Sequence, residues 1–264
     1  MKPLQIIVFI KQVPDPEGPA DAFHVDLNEK RVIPVGIPPS ISPFDENALE
    51  AALRIKDRHG AKVTTISMGE RLAQPVLKKA LAAGADDLIL LVDPCFKDID
   101  NWSTAYVLSR VITKIGNYDL ILTGRQASDW NFGVTGLIIA EILQIPAVNL
   151  ARKVEVNDSN VYVEKLSEDG YEIVKARMPL LITVSNEIGD LRYTSVRSLQ
   201  IAQKKPVTIY HANDLNLDFQ NLNIRKIHNL FQFNDKRQCK FIEGRSFQEK
   251  GENLAIMLKA DGVI

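Results

Sequence analysis

The sequence predicts an α/β fold: a doubly wound, mostly parallel sheet with an added antiparallel hairpin and an extended C-terminal arm ending in a helix. Three observations lead there. Near-continuous apolar runs at 4–10 (LQIIVFI), 62–68 (KVTTISM), 87–92 (DLILLV) and 118–123 (YDLILT) read as strands buried on both faces. Amphipathic stretches separate them, which is the alternation of a parallel sheet covered by helices. After Pro146 the pattern shifts to short alternating segments, as a hairpin requires.

The apolar opening from Leu4 to Ile10 is too short for a signal-peptide core and no small-residue cleavage site follows it, so it reads as the first strand. Ser42 as N-cap, Pro43 at the first helical position and Asp45 in the first turn start a helix that Gly60 closes. A second helix is expected from Arg71 to Ala83 with Gly84 as its stop, and a third from Trp102 to Ile115 with Gly116 in the same role. A fourth starts near Gly133 and ends before Pro146. ARKVEV and NVYVEKL, the Ser167–Gly170 turn and YEIVKARM form the hairpin, and LLITVS is one more apolar strand. A short helix over Ser195–Ala202 leads to a Lys204-Lys205-Pro206 linker, placing a domain at 1–206 and an arm at 207–264. The arm is poor in periodicity and rich in Asn and Asp to about 238, then ends in a helix over Phe247–Lys259.

With 264 residues, 45% hydrophobic and 25% charged, the chain can bury a substantial core without disulfides or metals. A net charge of -1 gives no general attraction for nucleic acid or an anionic membrane, so neither is an expected partner. Cys95 and Cys239 stand alone, outside any metal-ligand spacing, which points to a reducing cytoplasm. No apolar run reaches the roughly 20 residues that would insert in a bilayer. His24, His59, His211 and His228 have no partner at metal or nucleophile spacing and read as structural, as does Trp102.

The most informative segment follows the strand at 118–123: Gly124, Arg125, Gln126, Ala127, Ser128, Asp129, Trp130, Asn131, Phe132, Gly133, Val134, Thr135, Gly136. It joins a buried strand to a helix at the strand's carboxyl end, where open α/β sheets bind ligands. The glycines let backbone amides approach an anion, and the helix start adds unpaired N–H groups. Neither a P-loop nor a proper G-x-G-x-x-G is present. In such a loop Trp130 either stacks on an aromatic ligand or is simply exposed. Lys11–Asp15 and Ser67–Gly69 would end two more strands on the same sheet edge and could complete an adenine and ribose site.

KQVPD, SPFDENALEAALRIK, GAKVTTISMG, ALAAGADDLILL, YDLILTGRQASD, EDGYEIVKARMPLLITV and LRYTSV occur in one order across residues 4–206, with CKFIEGRSFQEKG at the C-terminus. That ordered set resembles the electron-transfer flavoprotein beta subunit. The resemblance implies an electron carrier, not an enzyme, with no catalytic side chain of its own. Its cofactor site would be built from Phe9 and Lys11, from Ser42, Phe44 and Asp45, from Met68, and from Gly124, Arg125, Gln126, Ala127, Asp129, Asn131, Gly133, Val134, Thr135 and Gly136. One branch of the family holds AMP here and another holds a second FAD that accepts a hydride from NADH and divides the electron pair.

KQVPD, GRQ and EDGYE are closer to the FAD-binding branch, while Trp130, Asn131 and Val134 depart from its DGDTAQVG loop, leaving FAD and AMP both open. The implied partners are an electron-transfer flavoprotein alpha subunit, on which residues 207–264 would pack, and an acyl-CoA dehydrogenase. The latter would dock on a recognition loop at 186–193 with Ile188 as apolar anchor beside Arg192 and Tyr193. The rival from another class is a nucleotide-dependent α/β enzyme, which would need a phosphate-loop signature and metal-binding carboxylates.

Overall fold

The computed structural model describes residues 3–227 and 239–264. His228 lies outside the described residues. In chain order the elements of the larger unit are β1 (Leu4–Phe9), β2 (Gln12–Pro14), β3 (Phe23–Asp26), β4 (Arg31–Pro34), β5 (Pro39–Ile41), α1 (Pro43–His59), β6 (Ala61–Gly69), α2 (Gln74–Leu77) and α3 (Lys79–Ala83). There follow β7 (Asp87–Val92), α4 (Asn101–Ile115), β8 (Leu120–Gly124), α5 (Thr135–Leu143), β9 (Ala147–Asn157), β10 (Asn160–Ser167), β11 (Gly170–Arg177), β12 (Leu180–Val184), α6 (Val196–Lys204) and β13 (Thr208–Tyr210).

Nine strands form one sheet in the order β11-β10-β9-β12-β8-β1-β6-β7-β13. Every pairing from β9 to β13 is parallel, and only β9-β10 and β10-β11 are antiparallel. The expected fold class is the observed one. Alternation of side chains along the central strands splits the core in two: Ile6, Val8, Val63 and Leu122 face α1 and α3, while Ile7, Phe9, Ile66 and Ile121 face α4 and α5. The chain leaves β1 toward β6 and later returns to place β8 on its other side, so the crevice at the carboxyl ends of β1 and β8 is the switch point where such sheets bind ligands.

Three local outcomes differ from expectation. The helix expected from Arg71 begins only at Gln74, because Pro75 belongs in the first turn, and it is divided at Lys78. Residues 12–41 contain two small ladders, β2-β5 and β3-β4, that the sequence pattern did not announce. The boundary expected at 206 falls inside the larger unit, which runs to 228. β13 pairs with β7 at the sheet edge, and Ala212 and Leu215 are buried against the α4 side of the core, so the start of the expected arm completes the domain.

The second unit spans 229–264. Its helix α7 (Phe247–Ala260) is started by Ser246, whose hydroxyl accepts from Glu249 N–H at 3.1 Å, while the Glu249 carboxylate accepts from Arg245 N–H at 2.7 Å. None of its side chains is buried within the chain, and Phe247 and Ile256 are exposed. Among the described residues, no helix is long and apolar enough to cross a membrane.

Candidate functional site

The carboxyl ends of β1, β6 and β8 open into a cavity of about 350 Å³, within the range of roughly 300–1,000 Å³ typical of small-molecule sites. Its floor depends on Asp45. That carboxylate, in the first turn of α1, accepts from Lys11 N–H at 2.8 Å and from Gly124 N–H at 3.1 Å, tying the ends of β1 and β8 to the helix. The sequence reading of Asp45 as a helix-end charge therefore understates its role. Burial pushes its carboxyl up to about 7 against those two hydrogen bonds and the Lys11 charge. Ser42, read as a side-chain cap, makes no capping bond: its hydroxyl accepts from Ser128 N–H at 3.4 Å.

Above the floor, the turn after β8 is held at both ends. Lys11 Nζ pairs with Asp129 at 2.6 Å, Gln126 donates to Asn131 Oδ1 at 3.0 Å, and Asn131 N–H returns to Ala127 O at 2.9 Å. Gly133 has φ +65°, a left-handed backbone that glycine enters freely. The other two glycines, expected to open the backbone to an anion, both line the cavity, and each also lies against a neighbour that leaves no room for a side chain. A Cβ on Gly124 would lie 2.6 Å from Asp45 Oδ1, and one on Gly136 would lie 2.8 Å from Thr123 Oγ1. Val134 offers no side-chain cap to α5, so the first amides of that helix remain for a ligand or water.

One cavity thus brings together Phe9, Lys11, Asp45, Met68, Gly124 and the whole turn from Arg125 to Gly136 except Ser128. Phe44 stands behind it as a platform, with the Arg125 guanidinium 4.8 Å from its ring centroid. Among the described residues, the Nε of Arg125 and the Oγ of Ser128 are buried without a hydrogen-bond partner, which leaves both groups available to a bound molecule. The charged lining consists of Lys11, Arg71, Arg125 and Arg225 against Asp45 and Asp129, an excess of positive charge suited to an anion. Sequence reasoning missed the far wall: Arg71, Phe96, Asn101 and Thr104, and Arg225 from the span read as an arm. The start of α4 at Asn101, after a short strand and a capping Asp100, was the available signal.

The expected recognition loop is organised differently. Ile188 is not an exposed anchor; it is buried in the core, with 8% of its surface accessible. Arg54 of α1 donates to Ile188 O at 2.7 Å and Asn47 to Gly189 O at 2.8 Å, which straps the turn to the helix and rolls the side chain inward. Arg192 is engaged by Glu50 at 3.0 Å and Asp57 at 2.9 Å. Burial works to raise the Glu50 carboxyl, but hydrogen bonds from Arg192 and Arg54 hold it below its ordinary value. Tyr193, at 90% exposure, is the apolar group this loop presents.

The family model described as "Electron transfer flavoprotein domain" matches residues 32–215. A chain from Thermoanaerobacterium thermosaccharolyticum named electron transfer flavoprotein subunit beta is 42% identical over 223 residues, 84% of each chain. The caffeyl-CoA reductase-Etf complex subunit CarD of Acetobacterium woodii is 34% identical over 99% of this chain and 100% of its own. Protein FixA of Azorhizobium caulinodans is 33% identical over 81% of this chain and 78% of its own.

Proposed function

Since this chain belongs to the electron transfer flavoprotein family, among its beta subunits, we propose that it holds FAD in the cavity at the switch point and passes electrons together with an alpha subunit. The observation that carries this reading is the unpartnered Arg125 Nε and Ser128 Oγ beside a cationic cavity whose rim includes an uncapped helix start. Such donors fit the phosphates and sugar hydroxyls of an adenine nucleotide.

Bound flavin would supply the redox chemistry. The chain's own residues bind, orient and shield: Asp45 fixes the floor, the Lys11–Asp129 pair fixes the turn, and the α5 amides with Arg125 meet the anion. Two relatives carry names of acyl-CoA reductase assemblies, one of caffeyl-CoA reductase and one of acryloyl-CoA reductase. They support an acyl-CoA dehydrogenase-type partner, with NADH as donor if the electron pair is divided.

AMP in the same cavity is the second reading. It is favoured by a volume of about 350 Å³, near the small end for ligand sites, and by the bulk of Trp130 and Phe132 in the turn. Extracting the nucleotide from the native heterodimer decides between them. Two FAD per heterodimer supports the first reading, AMP with one FAD supports the second, and no nucleotide beyond a single flavin overturns both.

A further inference from the structure

The mouth of the cavity carries an arrangement that closing the turn does not require. The rings of Trp130 and Phe132 lie 5° from parallel with centroids 5.9 Å apart. The Arg225 guanidinium spans them, 4.4 Å from the Trp130 centroid and 5.8 Å from that of Phe132. All three side chains line the cavity, yet Trp130 is 40% and Phe132 50% exposed. Large rings left this wet beside a ligand-sized space are a surface awaiting cover.

The arrangement is also fixed in advance from two distant stretches of chain. The Lys11–Asp129 pair and the Asn131 bonds hold the turn. Arg225 is held independently: its N–H donates to Asp98 O at 2.8 Å, its Nη2 to Ile99 O at 3.3 Å, and Ile224 bridges Ile99. Side chains with such supports keep their geometry before a ligand arrives, which lowers the ordering cost of binding.

We propose that Trp130 and Phe132 are a shelf on which the planar ring of the bound nucleotide stacks, and that Arg225 is the positioning residue that keeps the shelf in place. This rests on the reading of the cavity as an adenine-nucleotide site. Stacking engages the face of a ring and not its donors and acceptors, so the shelf selects for the presence of a base and tolerates a change of base.

The test is calorimetric titration of the nucleotide-stripped heterodimer with AMP, GMP and ribose 5-phosphate. Trp130→Ala weakens AMP by about tenfold or more, as loss of one stacking contact does, and leaves ribose 5-phosphate unchanged; Trp130→Phe retains most of the AMP affinity. Arg225→Gln weakens AMP by about threefold, and Arg225→Lys restores it. Wild-type protein binds AMP and GMP within about threefold of each other, since every base has a stacking face. Equal losses of AMP and ribose 5-phosphate in Trp130→Ala, or none, overturn the shelf while sparing the nucleotide site. Failure of the wild type to bind any of the three overturns the site and the shelf together.

Discussion

The parallel part of the sheet and its antiparallel wing are made of similar branched residues, yet only the first gathers chemistry. Every residue of β8 and β12 is buried, whereas β11 leaves Tyr171 50% and Ile173 66% exposed. In the parallel part all strands end at one edge, so Lys11, Met68 and Gly124 meet around a single cavity despite their separation in sequence. In the wing, β9, β10 and β11 alternate in direction and each turn meets only its neighbours. Polar groups differ in the same way. On the wing Arg152 and Lys153 satisfy Glu164 and Glu155 at 3.0–3.3 Å, and Arg152 sits 4.3 Å over Tyr171. In the turn at the cavity, Arg125 Nε and, just behind the lining, Ser128 Oγ have no partner among the described residues. The wing's charges thus pair with one another, whereas Arg125 brings an unpaired donor to the cavity.

The contrast breaks most sharply at Gly124. A Cβ there would stand 2.6 Å from both Asp45 Oδ1 and the carbonyl carbon of Phe44, which is backbone and cannot swing away. Gly124→Ala is expected to cost about 3 kcal/mol in urea unfolding, at the upper end of ordinary overpacking, and to release the nucleotide. Ile173→Ser on the wing should cost no more than about 0.5 kcal/mol. Similar costs for the two would show that the cavity floor is no tighter than the wing.

Asp45 gives the next effect. Its carboxyl keeps a proton up to about pH 7 when folded, against about 3.8 for an aspartate in the unfolded chain. Across that interval the folded state holds more protons, so its contribution to stability is complete below the lower value and is lost as pH rises through about 7. Asp45→Asn removes this slope. It also costs about 1–3 kcal/mol, because the new amide turns a donor toward the Lys11 or Gly124 N–H. A urea series across the same pH interval reads both. An unchanged slope would show that Asp45 does not carry the titration.

Most of the sheet was legible because its strands are continuous apolar runs closed by helix signals, and the glycine-bearing turn marked the cavity. What escaped depends on distance along the chain. Arg225 reaches the cavity only because β13 docks on β7 and carries the following residues toward α4. Three-residue strands such as β2, β5 and β13 are too short to show a period. Ile188 was misplaced for a related reason: an apolar residue in a polar turn reads as exposed until Arg54 and Asn47, over a hundred residues earlier, pull its backbone against α1. Gly136 was located, but part of its need for a small side chain arises from Thr123 and Thr183 on β8 and β12, which no local pattern announces.

The smallest effect sharpens the comparison by separating fold from function. Lys11 and Asp129 pair at 2.6 Å with 41% and 21% of their side-chain surface accessible, so the pair contributes at most about 1 kcal/mol to stability. Its value lies in holding the turn that meets the ligand. Lys11→Gln should shift the urea midpoint little, yet weaken AMP by about threefold at low salt and by less at high salt, where the charges are screened. Asp129→Asn in the same background should add almost nothing, because the interaction is already gone. On the wing, Arg152→Gln breaks a pair of comparable exposure, 41% and 18%, and should leave nucleotide binding unchanged. If the two ion pairs weaken AMP equally, the effect belongs to overall stability or net charge, and the Lys11–Asp129 contact has no special hold on the turn.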